Sequence, residues 1–190
     1  QFLAEGLQGR EIVFTSKLDD RFGAGGTFDT NADSDTTAPT RGDWGGIYIG
    51  HLGQASIDHA LLTFGGGINK IEGTFKGFNV LEIHQADVRL ANSVIEENAD
   101  GQGGQGPDNR FGRTANIAST IFVRGAQPVI VDNLIQNNAA IPITIDTNSL
   151  NDKTVADMGR TTGGLQGPIR FLDNQGPVIR RNRLAESGLN

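Results

Sequence analysis

The chain has 190 residues, long enough for one domain with a sizeable core, and 22 acidic against 16 basic residues give it a formal net charge of −6. That balance, with no basic run, argues against a nucleic-acid footprint, and no apolar stretch approaches the roughly 18 residues that a membrane-spanning helix needs. The absence of cysteine removes disulfides, thiolate metal sites and cysteine nucleophiles, while 27 glycines and 15 asparagines supply residues that tolerate left-handed turns.

The chain opens at Gln1 without a Met, as an excised or processed segment of a longer protein would. "IVFTS" (Ile12 to Ser16) reads as a short strand. An insertion over about 17–43 follows, carrying "DDRFG" from Asp19 and "DTNADSD" from Asp29. The first repeat unit then occupies 44–65 and contains "GIYIGHLGQASIDHALLTFG". A second insertion, 66–79, includes "GGGINK", which lacks the Lys-Ser/Thr pair of a phosphate-cradling loop. The second unit, 80–98, reads "VLEIHQADVRLANSVIEEN", and the insertion after it, 99–119, holds the apolar-poor "ADGQGGQGPDN" and "DNRFG". The third unit, 120–138, reads "TIFVRGAQPVIVDNLIQNN". A fourth insertion, 139–167, contains "IPITID", a candidate extra strand, and the fourth unit, 168–187, reads "PIRFLDNQGPVIRRNRLAES".

The four units share a frame. An aliphatic-x-apolar pair opens each: Ile47/Ile49, Leu81/Ile83, Ile121/Val123 and Ile169/Phe171. Ile57, Leu90, Ile130 and Ile179 come next, then a small or amide residue at Ala60, Ser93, Asn133 and Asn182. Leu62, Ile95, Ile135 and Leu184 follow, and Gly65, Asn98, Asn138 and Ser187 close the frame. Such a repeat predicts short strands joined by tight corners, each coil stacked on the last, with aliphatic columns inside. Asparagine at a repeated corner is expected to hold the left-handed turn and bond its neighbour in the stack. An antiparallel sandwich would also have short strands and glycine-rich turns, but would not require matching corners in successive units. The expected fold is therefore all-β: a right-handed parallel β-helix, a single-stranded solenoid forming one domain over 1–190. Because each insertion follows the closing position, all four are expected on one face.

The units resemble those of right-handed parallel β-helices of the pectate-lyase-like superfamily. "PVIVDNLIQNN" and "PVIRRNRLAES" resemble its PVI-x-x-N-x-I-x-x-N coil repeat. The run "IVFTSKLDDRFGAGGTFDTNADSD" and the later "GDWGGIYIG" resemble a segment of very large secreted bacterial β-helix proteins. That superfamily spans lyases, glycoside hydrolases, tailspikes and adhesin-like surface proteins, so the resemblance implies a fold without naming an activity.

The acidic run is the candidate metal site. Asp29, Asn31, Asp33 and Asp35 place oxygen donors on alternate positions, and calcium takes six to eight oxygens. Ser34 stands where a helix-flanked calcium loop needs glycine, and Thr40 where it needs a closing carboxylate, so Asp19, Asp20 or Asp43 would have to complete a structural calcium site. His51, His59 and His84 lack a third ligand and read as surface residues. The outward columns Asp58, Ala91, Val131, Arg180 and His59, Asn92, Asp132, Arg181 gather no acidic pair of the kind a hydrolase needs, and Asp87 and Arg89 read as isolated. Asp108, Arg110, Arg113 and Arg160 are the ingredients an insertion-built site would use. In "DDRFG" and "DNRFG", Phe22 and Phe111 are expected to pin their loops while Arg21 and Arg110 stay solvated; Trp44 reads as a corner-packing residue.

The resulting expectation is a non-enzymatic extracellular or cell-surface module that displays loops for adhesion, matrix or assembly contacts. Its open ends would be covered by neighbouring coils of the same chain or by a protein partner, and carbohydrate is a further candidate ligand. The alternatives are a lyase or glycoside hydrolase acting on an acidic polysaccharide, which would need acids from different insertions to converge, and a structural subunit of an envelope or filament assembly.

Overall fold

The computed structural model describes residues 1–22, 29–34, 36–50, 52–71, 74–101, 116–146 and 177–185. Among them the protein is all-β, with sixteen strands, one 3-10 turn at Asp20–Phe22 and no α-helix. The first sheet contains β1 (Phe2–Glu5), β4 (Gln54–Asp58), β9 (Asp87–Ala91), β12 (Val129–Val131) and β15 (Val178–Arg180). The second contains β2 (Ile12–Phe14), β5 (Ala60–Thr63), β10 (Val94–Glu96), β13 (Leu134–Gln136) and β16 (Arg183–Ala185). The third contains β3 (Ile47–Ile49), β8 (Leu81–His84), β11 (Ile121–Arg124) and β14 (Ile143–Asp146). Every pairing in these sheets is parallel; the hairpin β6 (Ile68–Ile71) and β7 (Thr74–Gly77) is antiparallel, as is the isolated bridge Leu7–Arg10. Consecutive strands of the three sheets thus visit first, second and third in a fixed cyclic order.

Residue type explains the strands. Leu, Ile and Val at every second position put one apolar row inward, and parallel register sets the same row of each pass over the last, about 4.8 Å away. Ala4, Ile57, Leu90, Ile130 and Ile179 form one such column, and Phe14, Leu62, Ile95, Ile135 and Leu184 another. The third sheet contributes Ile47, Leu81 and Ile121 beside Ile49, Ile83 and Val123. Ala4, Ile57, Leu90 and Ile130, with Leu62, Ile95 and Ile135 and with Ile49, Leu81, Ile83, Ile121 and Val123, lie in the hydrophobic core, and Phe14 and Ile47 pack against it.

The strand in register with Ile121 and Val123 on the far side is β14, with Ile143 and Ile145. "IPITID" therefore provides the third-sheet strand that follows β11. Ile169, Phe171 and Ser187 of the aligned frame lie outside the described residues. The connections 15–46, 64–80 and 97–120 all run from the second sheet to the third. The fourth pass differs: only 137–142 separate β13 from β14, and the long interval 147–177 comes after β14, between the third sheet and the first.

The corners divide their labour between two adjacent residues. His59, Asn92, Asp132 and Arg181 take the left-handed conformation, as do Phe64, Glu97 and Asn137 at the next corner. The repeated amide residues, expected to hold that turn themselves, stand one place later. Their side chains are buried or partly buried and bond the stack: Asn182 Oδ1 accepts from Asn133 N (3.0 Å), Asn133 Oδ1 from Ser93 N (3.0 Å) and Ser93 Oγ from Ala60 N (3.0 Å). At the second corner Asn138 Oδ1 accepts from Asn98 N (3.0 Å), and Asn98 Oδ1 from Gly65 N (2.8 Å). The reason is solvation. The inward position needs a side chain that satisfies buried backbone, whereas the outward one needs only to tolerate φ > 0, at roughly 1 kcal/mol for a non-glycine residue.

Asn98 tests this directly. It also donates to Leu62 O (3.0 Å), so Asn98→Ala strips two buried backbone groups of their side-chain partner. Urea unfolding is expected to show a loss of about 1–3 kcal/mol, against a clearly smaller one for Asn92→Ala at the exposed corner position beside Ser93.

Where the second sheet turns toward the third, backbones nearly touch. A Cβ on Gly67 would lie 1.8 Å from Gly42 O, so "GGG" is glycine because no side chain fits.

Candidate functional site

The acidic insertion folds back on the strand that launches it. Thr30 N donates to Asp20 Oδ1 (2.9 Å), and Thr30 Oγ1 bonds Lys17 O and reaches the same Asp20 oxygen (3.3 Å). Asp29 organises the loop: its Oδ1 accepts from Asp33 N and its Oδ2 from Ser34 N, both at 2.9 Å, with Ala32 and Ser34 left-handed. Asp20, Asp29 and Asp33 then each bring a carboxylate oxygen within 4.8 Å of the others, all half-buried. Oxygens sharing one calcium at about 2.4 Å lie no farther apart than that. Asn31 Nδ2 bonds Asp33 Oδ2 (2.9 Å) and Thr37 Oγ1 (2.8 Å), while its Oδ1 is buried with no hydrogen bond. The donor set is therefore hard, anionic and oxygen-only, which suits calcium.

Of the residues expected to complete the site, Asp20 is drawn in and two others are committed elsewhere. Asp19 is buried and holds Arg21 through both oxygens, with Thr15 on Oδ2. Burial would raise its pKa, but Arg21 and Thr15 outweigh it and hold the carboxyl below its usual range. Asp43 likewise accepts from Ser16 Oγ (2.5 Å), Thr40 N (3.0 Å) and Thr40 Oγ1 (2.6 Å). Asp35 lies outside the described residues, as do His51, Asp108, Arg110, Phe111, Arg113 and Arg160.

Phe22, expected to pin its loop, is exposed; Arg21 is exposed as expected, yet it also lies over the Phe64 ring, 5.4 Å from its centre, held by Asp19. Trp44 packs against the core as expected and donates Nε1–H to Thr63 O at 2.8 Å.

The outward charges are not simply solvated. Arg89 pairs with Asp58 (2.5 Å) rather than standing isolated, and Asn92 bonds the same carboxylate from the next pass (2.9 Å). Arg181 holds Asp132 through two bonds, and Arg41 and Asn137 both hold Glu97. These partners outweigh partial burial at Asp58 and keep its pKa below the ordinary carboxylate range; at Asp132 the Arg181 bonds lead the same shift. Exposed pairs of this kind contribute about 0–1 kcal/mol each. No family model, curated protein or solved structure matches the chain.

The third sheet holds a feature that the sequence reading passed over. His84, expected at the surface, is fully buried, and so is Glu82 two residues before it. Glu82 Oε2 meets His84 Nε2 at 3.1 Å, and Oε1 accepts from Asn79 N (2.9 Å) and Asn116 Nδ2 (2.5 Å). Asn79 Nδ2 in turn reaches Ile117 O (2.8 Å) and Ser119 O (2.5 Å). His84 is flanked by the Tyr48 and Phe122 rings, 4.9 and 5.6 Å away. Glu82 thus ties the end of one long connection (Asn79) to the end of another (Asn116) across the outer face of β8. Closed from solvent, it works as a clamp. The legible signal was its register column, Tyr48-Glu82-Phe122, whose aromatic neighbours mark a covered face.

Proposed function

We propose that the chain is a stretch of right-handed parallel β-helix, a single-stranded solenoid, serving as a non-enzymatic extracellular or cell-surface module. It presents its long connections to adhesion, matrix or assembly partners, protein or carbohydrate. The observation that carries this reading is the shared corner: the connections 15–46, 64–80 and 97–120 all run from second sheet to third. Repeats that insert length at one corner build a broad surface on one side of a rigid stack. The outward charges support the same reading, since Asp58 and Asp132 pair with neighbours within the stack and Glu97 pairs with Arg41 of the 15–46 connection. Right-handed coiling is the hand that parallel crossover connections take almost without exception.

Binding to immobilised matrix proteins and acidic polysaccharides tests the module, with a variant whose 64–80 connection is exchanged for a glycine-serine link of equal length. Binding that falls in the exchange variant supports display. Turnover of an acidic polysaccharide, read as unsaturated or reducing ends, would instead establish the enzyme.

Calcium at Asp20, Asp29, Asn31 and Asp33 belongs to this reading as a stiffener of the display corner. A hundredfold excess over Kd stabilises by about 2.7 kcal/mol, which for a domain of this size raises Tm by roughly 5–10 °C. Asp29→Asn with Asp33→Asn should abolish the rise. A Tm indifferent to calcium and chelator removes the ion from the proposal.

A further inference from the structure

The outer face of the third sheet buries two groups that take up protons in acid, and it does so where two long connections end. Glu82 and His84 are both 0% exposed. Facing them among the described residues are Tyr48 of β3 and Phe122 of β11, whose rings lie 4.9 and 5.6 Å from the imidazole. Arg124 of β11 is the register partner of His84, and Asp146 of β14 is the register partner of Arg124. Asn79 and Asn116, from the ends of the 64–80 and 97–120 connections, bring neutral donors to Glu82 Oε1. Arginine keeps its charge, and tyrosine its proton, through acid and neutral pH. Glu82 and His84 are therefore the groups that change state at the clamp itself.

The space between them limits how they can respond. Glu82 Oε2 and His84 Nε2 lie 3.1 Å apart, a distance that takes a single hydrogen between the two atoms. With Glu82 ionised and His84 neutral, Nε2–H donates to Oε2. One added proton still leaves a single bonding hydrogen in the contact, whichever of the two atoms carries it. A second added proton has no such place. It either sets two hydrogens against each other or lands on Oε1, at which Asn79 N–H and Asn116 Nδ2–H already point. Solvent does not reach the site to accept what is displaced.

We propose that Glu82 and His84 form an acid-released latch between the two connections. The latch is closed while the pair lacks at least one of its protons, and it opens as falling pH protonates both. Its contribution to stability is thus present at neutral pH and lost on the acid side. Opening frees Asn79 and Asn116 together, so the 64–80 and 97–120 connections loosen in one step. The corner ladders do not share this response. Ser93 N and Asn98 N donate to the side-chain oxygens of Asn133 and Asn138, which do not titrate. Acid therefore changes how two connections are held while the stack of strands stays in place. The latch follows from the geometry of the third sheet and is independent of what the connections bind.

Amide hydrogen exchange, corrected for the intrinsic effect of pH, tests the latch between about pH 7.5 and about pH 3.5. Protection of the Asn79 amide should fall at least about tenfold across this range relative to the Ser93 and Asn98 amides. Glu82→Gln keeps the acceptor of Asn79 but puts a permanent N–H in the contact with His84. A single proton on His84 then suffices, and the release should move to higher pH. His84→Gln offers an amide that can turn either N–H or C=O toward Glu82, and it should remove the release. Wild-type Asn79 protection that stays level with the ladder amides overturns the inference. A Glu82→Gln release that stays put or moves down overturns it too, as does a His84→Gln chain that releases like wild type. Should His84→Gln fail to fold, judged by circular dichroism at neutral pH, His84→Asn replaces it with the same expectation. A level profile in a chain that still binds matrix or polysaccharide sinks the latch alone and leaves the display reading standing.

Discussion

Glu82→Ala is expected to lower the unfolding free energy by about 3–5 kcal/mol, read from the urea midpoint at unchanged slope. The substitution removes the acceptor of Asn79 N–H and of the 2.5 Å bond from Asn116, and it removes the oxygen facing His84, in a space that solvent does not reach. Taking one member from a buried hydrogen-bonded set costs more than the set contributed, because the groups left behind have lost water as well as their partner. Two connections should loosen with the stability loss, since Glu82 joins Asn79 to Asn116. Hydrogen exchange at Asn79 and Ser119 would report that loosening. Glu82→Gln keeps one acceptor oxygen and should lose clearly less. A Glu82→Ala chain within about 0.5 kcal/mol of wild type would show that the clamp is inert.

Ile95→Ala carries the second large effect, about 2–5 kcal/mol. Ile95 is fully buried, with Leu62 and Ile135 in register on either side. Strand pairing fixes the spacing of these neighbours, so the site cannot collapse around the missing atoms and the cavity persists. Val94 is the control, one residue earlier on the same strand and half-buried on the outer face; Val94→Ala should lose far less. Equal losses at the two positions would mean that the inward and outward faces are not distinguished as the register requires.

The strands and columns were legible in the sequence because they follow a strict rule. Period-two alternation sets the faces, and Ile57, Leu90 and Ile130 recur in frame to set the stack. Corner chemistry was half legible. The amides at Asn98, Asn133 and Asn138 announced their stacking bonds, but the left-handed residue one place earlier varies among His, Asn, Asp and Arg and carries no shared chemistry. Frame matching could not choose between Ile143/Ile145 and Ile169/Phe171 as the partners of β11, since both are aliphatic-x-apolar pairs; β14 is seen only in the register. The acidic loop was readable as a donor set, whereas the arrival of Asp20 depends on Thr30 bonding back across the insertion. Glu82 and His84 misled because alternation assigns them outward, and outward equals exposed only on a sheet whose outer face is bare.

The paired ladders also act as a ruler. Ser93 and Asn98, and Asn133 and Asn138, lie five positions apart, and each pair must meet its counterparts above and below. A single residue gained or lost between them would put both side chains out of reach of the backbone they serve. Beyond Asn98 or Asn138 the ruler no longer applies, and connections as unequal as 97–120 and 137–142 both deliver the chain to a third-sheet strand in register. The connections 15–46, 64–80 and 97–120 thus vary freely at one corner, where foreign sequence can be grafted while the spacing that holds the strands stays untouched.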